Sequence, residues 1–224
     1  MSGKRTLLGA LVLALTTSPL YASPVPPGGP MVAPDPFPNP GGTPPLLYHT
    51  SGLFTFTSGS DVLTGDYVES VFLDITGTTC PTCLDFAIEV DASASSTLGI
   101  ERVGLLVPLS ISADAGYVVG TPGLSPTDVN RGSLGAVSFF FNPPLFPGGS
   151  GSDVLLIATT ATAIGSDSLG LDAESRTGQI LGGIGVITTG IVGPAAVPEP
   201  GTGFLLALGL VGFAGSKLRS KGLL

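Results

Sequence analysis

Chemistry in this chain rests on few residues: two cysteines, one histidine and 16 acids among 224 residues. Cys80-Pro81-Thr82-Cys83 is the sharpest pattern. A CxxC pair serves as a redox dithiol, as half of a zinc site or as a small structural disulfide. A redox pair sits between a strand and a helix, because the helix N-terminus lowers the thiol pKa. Here strand-like sequence flanks the motif on both sides, at 71–76 and 84–90. Zinc takes four ligands, and two Cys plus one His fall short. The pattern favours a disulfide pinning a hairpin loop, with free or intermolecular thiols as the alternative.

His49 alone would have to serve any Ser-His-Asp triad, and it stands at the border of a proline-rich stretch. Asp66 with Glu69, and Asp85 with Glu89 and Asp91, offer paired carboxylates of the kind glycoside cleavage uses. Their spacing equally suits the wet face of strands. Asp167, in the run Gly165-Ser166-Asp167-Ser168, has Asp172 and Glu174 downstream. These are oxygen ligands for Ca²⁺ without the spacing of an EF-hand loop. Gly182-Gly183-Ile184-Gly185 lacks the lysine and the following helix of a phosphate loop. The expectation is no catalytic residue, no metal and no cofactor.

The elements that would position these residues read as strands. Leu84, Phe86, Ile88 and Val90 alternate with Asp85, Ala87, Glu89 and Asp91, the period of a strand with one wet face. Residues 67–75 follow the same rule less cleanly. Further β-rich runs lie at 53–57, 100–111, 117–119, 136–141, 154–164 and 184–192, separated by Gly, Pro, Ser, Asn and Asp clusters. No 3.6-residue stripe persists. About seven or eight short strands over 48–193 predict an antiparallel β-sandwich, with a jelly-roll or open barrel as the alternative. The run from Ser58 to Leu63 recurs from Ser150 to Leu155. Nothing flanking the copies matches, so chance in a Gly/Ser-rich chain is preferred over a duplicated half-domain.

Composition fits a β body with unusual ends. At 43% hydrophobic and 11% charged, the chain is too apolar for wholesale disorder and too poor in charge for helical bundles. Five of the eight bases lie at the ends, as Lys4, Arg5, Lys217, Arg219 and Lys221. Between Ser23 and Ala196, three arginines face 15 acids, a net charge of -12. Such a body repels phosphate backbones, so no nucleic-acid partner is expected.

Lys4 and Arg5 precede an apolar run over 6–15, Pro19 breaks it, and Ala22 supplies a small residue before Ser23. That is the order of a secretory signal peptide over 1–22, formed as a helix and cut between Ala22 and Ser23. Export brings the secretion translocon and signal peptidase as partners. It also brings an oxidising compartment, which favours the Cys80–Cys83 disulfide. Residues 23–47 hold ten Pro and four Gly and read as an extended linker in which no ladder persists.

At the other end, Pro198-Glu199-Pro200 precedes an apolar run over 203–215. As a helix that run spans ~20 Å, short of the ~30 Å hydrocarbon core. A short transmembrane helix of this kind suits a temporary anchor. Lys217, Arg219 and Lys221 follow as a stop-transfer clamp on the cytoplasmic side.

This order of parts, over 197–222, resembles the PEP-CTERM sorting signal of exported proteins in Gram-negative bacteria. Gly201-Thr202 stands where Ser-Thr or Ala-Thr is commoner, and Leu218 and Ser220 interrupt the basic tail. The resemblance implies Pro198, Glu199 and Pro200 as recognition residues for an integral membrane exosortase, a cysteine transpeptidase-like enzyme. It implies a precursor held transiently in the inner membrane, then a surface or extracellular product. It also implies a link to exopolysaccharide, biofilm or cell-surface matrix. The body is similar to a recurring exported β domain attached to such tails. The similarity runs through Leu63-Thr64-Gly65, Leu84-Asp85-Phe86, Ile100 to Val103, Ser152 to Ile157 and Ala161-Thr162-Ala163. That similarity implies a fold and brings no active site.

The expectation is a non-enzymatic surface or matrix protein. A carbohydrate-binding adhesin is the alternative, but sugar stacking calls for exposed aromatics. The chain has no Trp and four Tyr, and Phe139-Phe140-Phe141 reads more readily as core than as a platform. A secreted hydrolase lacks a nucleophile–base constellation.

Overall fold

Period-2 alternation in a Gly- and Pro-punctuated chain yields strands joined by turns, and the described part of the molecule is built from nothing else. The computed structural model describes residues 23–37, 45–74, 80, 82–145, 151–175 and 180–196. The signal peptide, Pro198-Glu199-Pro200, the apolar run and the basic tail lie outside the described residues, and with them both expected helices. The strands are β1 (Ser23–Pro24), β2 (Asp35–Phe37), β3 (Leu46–Ser58), β4 (Asp61–Leu73), β5 (Leu84–Ala92), β6 (Leu98–Leu106) and β7 (Ala113–Val118). They continue as β8 (Asp128–Arg131), β9 (Ala136–Leu145), β10 (Leu155–Thr159), β11 (Ile164–Ser166), β12 (Leu169–Ser175), β13 (Ile180–Ile187) and β14 (Val192–Pro194).

The larger sheet runs β1-β7-β10-β5-β4-β3, with β2 also pairing β7. The second runs β13-β12-β6-β9-β8, and β11 pairs β14 separately. All pairings are antiparallel except β2 with β7. Inward positions of β4 and β5, such as Leu63, Val71, Phe86 and Ile88, share one core with Ile100, Val103, Phe139 and Leu171 of the second sheet. Each such side chain removed from water contributes about 1.5–3 kcal/mol, and this holds the two sheets face to face. Phe139 and Phe141 are each 1% exposed, so they are core and not a sugar platform.

The all-β expectation is met; the strand count is not. Among the described residues fourteen strands occur where about half as many were expected. Strands of two to four residues are too short to show a period, and β12 lay hidden in the run read as oxygen ligands. There Leu169, Leu171 and Ala173 point into the core. Strand β9 passes through Pro143 and Pro144, expected as a turn. The β6–β9 register shifts between Ile100 and Arg102, where a missing proline N–H is tolerated.

Residues 23–37 also depart from the expected linker. Pro24 and Pro36 sit on the sheet edge, where alternate backbone donors face away from the ladder, and the other prolines lie between the strands. Val25 and Phe37 are buried, and Val32 exchanges backbone bonds of 2.9 and 2.8 Å with Val129 of β8. The segment thus leaves the larger sheet, touches the edge of the second and returns. Gly116 makes the return possible, because a Cβ there would collide with the Asp35 carbonyl and the Phe37 ring. Phe37 then covers Ala87, Val118, Leu156 and Ala158 in a satellite cluster.

Arg131 on β8 is 2% exposed. Its Nη1 donates to the Ile111 carbonyl at 2.9 Å, and Nη2 donates to those of Val107 and Pro108 at 2.9 and 2.7 Å. Nε reaches the Gly135 carbonyl at 3.3 Å. One guanidinium therefore satisfies four carbonyls of two turns. The repeated hexapeptide has no common setting. Its first copy makes the β3–β4 turn, with Gly59 at φ 64°, a left-handed conformation that favours glycine. The second feeds β10, and its Asp153 accepts hydroxyls from Thr121 and Ser125 at 3.2 and 2.6 Å.

Candidate functional site

The most unusual chemistry among the described residues lies where the body hands over to the C-terminal tail. Glu69 occupies an inward position of β4, between Tyr67 and Val71, and is 0% exposed. A carboxylate so placed must find donors or a proton. Its Oε2 accepts the Val192 N–H at 3.0 Å, while Oε1 has no hydrogen-bond partner. Asp167, the residue after β11, approaches the same segment. Its N–H donates to the Ile191 carbonyl at 3.1 Å, its Oδ1 accepts the Ser168 N–H at 2.7 Å, and its Oδ2 packs where Gly193 lacks a Cβ. Two carboxylates therefore bracket residues 191–193. Burial pushes the Glu69 carboxyl up to about 7; the Val192 N–H opposes this and the Asp167 charge adds to it. Burial likewise raises Asp167, against the pull of the Ser168 N–H.

Neighbouring tyrosines fix the same segment. The Tyr67 hydroxyl donates to the Thr189 carbonyl at 2.9 Å, and the Tyr48 hydroxyl donates to that of Gly190. Strand β14 pairs with β11, and the Ala195 N–H donates to the Ala163 carbonyl at 2.9 Å. A pocket of about 450 Å³ lies beside Ala195 and Ala196, walled by Ser110, Ile111 and residues 160–162. Ile111 also walls a second pocket of about 250 Å³, formed with Pro24 to Pro27, Asp114 and Arg131.

The chain leaves the described body at Ala196, and the tail motif begins there. Residues 196–220 match the PEP-CTERM protein-sorting motif. The chain carries a PEP-CTERM sorting tail. The motif implies an exported, membrane-anchored precursor that exosortase then processes. No curated protein and no solved structure matches the chain. Of the PEP-CTERM positions expected to act, Pro198, Glu199, Pro200, Lys217, Arg219 and Lys221 lie outside the described residues, as does Ala22. Among the described residues no helix is long and apolar enough to cross a membrane; residues 203–215 are not among them.

The other singled-out residues fall into place separately. Cys80 and Cys83 are joined by a disulfide, with Cα atoms 5.1 Å apart. The Cys83 N–H closes the turn on the Cys80 carbonyl at 2.9 Å, and strand β5 follows. Cross-linking so short a loop limits the entropy at stake to about 2 kcal/mol. Replacing both cysteines by serine should therefore lower stability by no more than that in urea unfolding, with the far-UV signal of the β body unchanged.

His49 Nδ1 lies 3.0 Å from Ser70 Oγ, its cross-strand neighbour on the exposed face of β3 and β4. Asp66 and Asp91 are directly opposite on β4 and β5; burial first and then Asp66 raise the Asp91 carboxyl. The acids weighed as Ca²⁺ ligands do not converge: Asp172 pairs with Arg102 at 2.6 Å. No group of three or more potential metal ligands occurs among the described residues. The meeting of Glu69 with Asp167 has no sequence motif. The one signal was an acid at an inward position, in phase with Tyr67 and Val71.

Proposed function

We propose that this chain is a non-enzymatic surface or matrix protein, released from its inner-membrane precursor by exosortase and working alongside exopolysaccharide in a biofilm or cell-surface matrix. The observation that carries this reading is the PEP-CTERM motif starting at Ala196, directly after strand β14 of the β body. Pro198-Glu199-Pro200 is the recognition element, the apolar run is the temporary anchor, and Lys217, Arg219 and Lys221 stop transfer. The -12 body charge keeps an exported protein soluble and apart from other acidic polymers. The secretion translocon and signal peptidase act first, at Ala22–Ser23.

Replacing Pro198, Glu199 and Pro200 by alanine should leave a full-length, membrane-held precursor and abolish the mature species in culture fractions. Normal maturation of that variant would sink the sorting assignment. Retention of the mature protein on the host's own exopolysaccharide, measured by pull-down, would convert the reading from matrix protein to carbohydrate-binding adhesin.

A further inference from the structure

Strand β3 ends the larger sheet and, among the described residues, pairs only with β4. That ladder fixes which of its backbone groups are left over. In β4 the Val62 and Thr64 carbonyls accept the N–H groups of Thr97 and Ser93, on the β5 side. Even-numbered residues of β4 therefore face β5 and odd-numbered ones face β3, as the Leu73 N–H does in donating to the Pro45 carbonyl. Opposite the odd-numbered residues stand the even-numbered ones of β3, from Tyr48 to Ser58. The alternate residues His49, Ser51, Leu53, Thr55 and Thr57 thus turn their N–H and C=O groups to the outer edge. None of these groups has a hydrogen-bond partner among the described residues.

Native sheets guard such edges with charge, proline, a bulge or a covering segment. The opposite edge, at β7, is covered by β1 and β2 with their prolines. Strand β3 is thirteen residues long with no proline, no acid and no lysine or arginine, in a body of net charge -12. Its register with β4 is unbroken from Tyr48 to Ser58. At its centre Leu53 is 86% exposed.

The outward groups are disposed symmetrically about Leu53. A second β3 laid antiparallel, Leu53 opposite Leu53, brings every outward group of one copy to a complementary group of the other. Ser51 then faces Thr55 of the second copy and His49 faces Thr57, pairs without like charges, while the two leucines cover each other. Asp66, beside Leu53 on β4, lies three strand spacings, ~14 Å, from its copy, beyond the ~10 Å over which exposed charges act at 0.1 M salt.

We infer that β3 is a self-association edge, through which two released copies of this chain join their larger sheets about a two-fold axis at Leu53. Antiparallel joining points the two Ala196 exits in opposite directions. Ala196 lies with Ala161, which bonds Leu84, at the end of the sheet away from the β3–β4 turn. The six residues between Ala196 and the apolar run reach at most ~20 Å, whereas β3 alone is ~44 Å long. Copies anchored in one membrane therefore cannot pair this way, and exosortase cleavage permits it. That order of events rests on the sorting reading above; pairing of released protein does not.

Mature protein from culture fractions should sediment at twice its single-chain mass and dissociate on dilution. Leu53→Lys should sediment as one chain with an unaltered far-UV signal, whereas Leu106→Lys, at an exposed leucine of the second sheet, should stay paired. Leu53→Cys should form an inter-chain disulfide, because directly opposite bonded residues have Cα atoms about 5.5 Å apart. A single-chain mass at the highest soluble concentration, a mass above two chains, pairing that survives Leu53→Lys, or Leu53→Cys copies that do not link each overturn the edge. Leu53→Cys combined with alanine at Pro198, Glu199 and Pro200 tests the order, and no inter-chain disulfide should form in the membrane. Linkage there overturns the dependence on cleavage; normal maturation of that variant overturns the sorting reading instead.

Discussion

Raising the pH from about 5 to about 8 should destabilise this protein, and Glu69→Gln should remove most of that loss. Glu69 titrates at about 7 in the fold, against 4.5 when exposed. Below about pH 4.5 the carboxyl is protonated in both states, and its favourable contribution is fully present. As the pH rises the unfolded chain ionises first, and the contribution is lost through pH 7. Above pH 7 a charge must be held beside Asp167 with one oxygen unpartnered. After solvent screening the difference is about 2 kcal/mol. Glu89, Asp91, Glu101, Asp114 and Asp167 are all raised chiefly by burial, so they act in the same direction. Urea unfolding at several pH values checks this. A flat wild-type profile, or an unchanged slope in Glu69→Gln, contradicts the assignment.

Arg131→Met should be the most damaging single change in the body, costing about 3–5 kcal/mol. Methionine keeps the apolar stem but supplies no donor to the Ile111, Val107, Pro108 and Gly135 carbonyls. Buried carbonyls left without donors lose their desolvation compensation. Arg131→Lys retains the charge but not the planar fork, so it should fall between. Denaturant midpoints of the three proteins give the ranking. Equal stability of wild type and Arg131→Met would contradict the role given to the guanidinium.

Much of the fold was legible where alternation ran long enough. Strand β5 was plain from Leu84 to Val90, because each second residue faced a dry core. Strands β1 and β2 were not, because ten prolines in 25 residues dominate the local signal. The sheet edge, which tolerates proline, exists only once β7 is in place. Strand β12 was masked by its acids, since the Asp172 charge is answered by Arg102 on a neighbouring strand rather than by a metal. The tail motif was legible because its parts are contiguous. The Glu69–Asp167 bracket was not: its two carboxylates lie on different elements far apart in sequence, and only tertiary packing unites them.

Ile111 walls both the pocket beside Ala196 and the pocket beside Pro24. The two covalent exits of the body therefore share one pole. The tail that anchors the precursor and the segment entering at Ser23 leave from the same side, so neither has to run across the two packed sheets. The β3–β4 turn at Gly59 belongs to the far pole, at the other end of β4 from Leu73 and the Cys83 loop. Exosortase processing, next to Ala196, falls at the near pole and leaves that distal rim unobstructed.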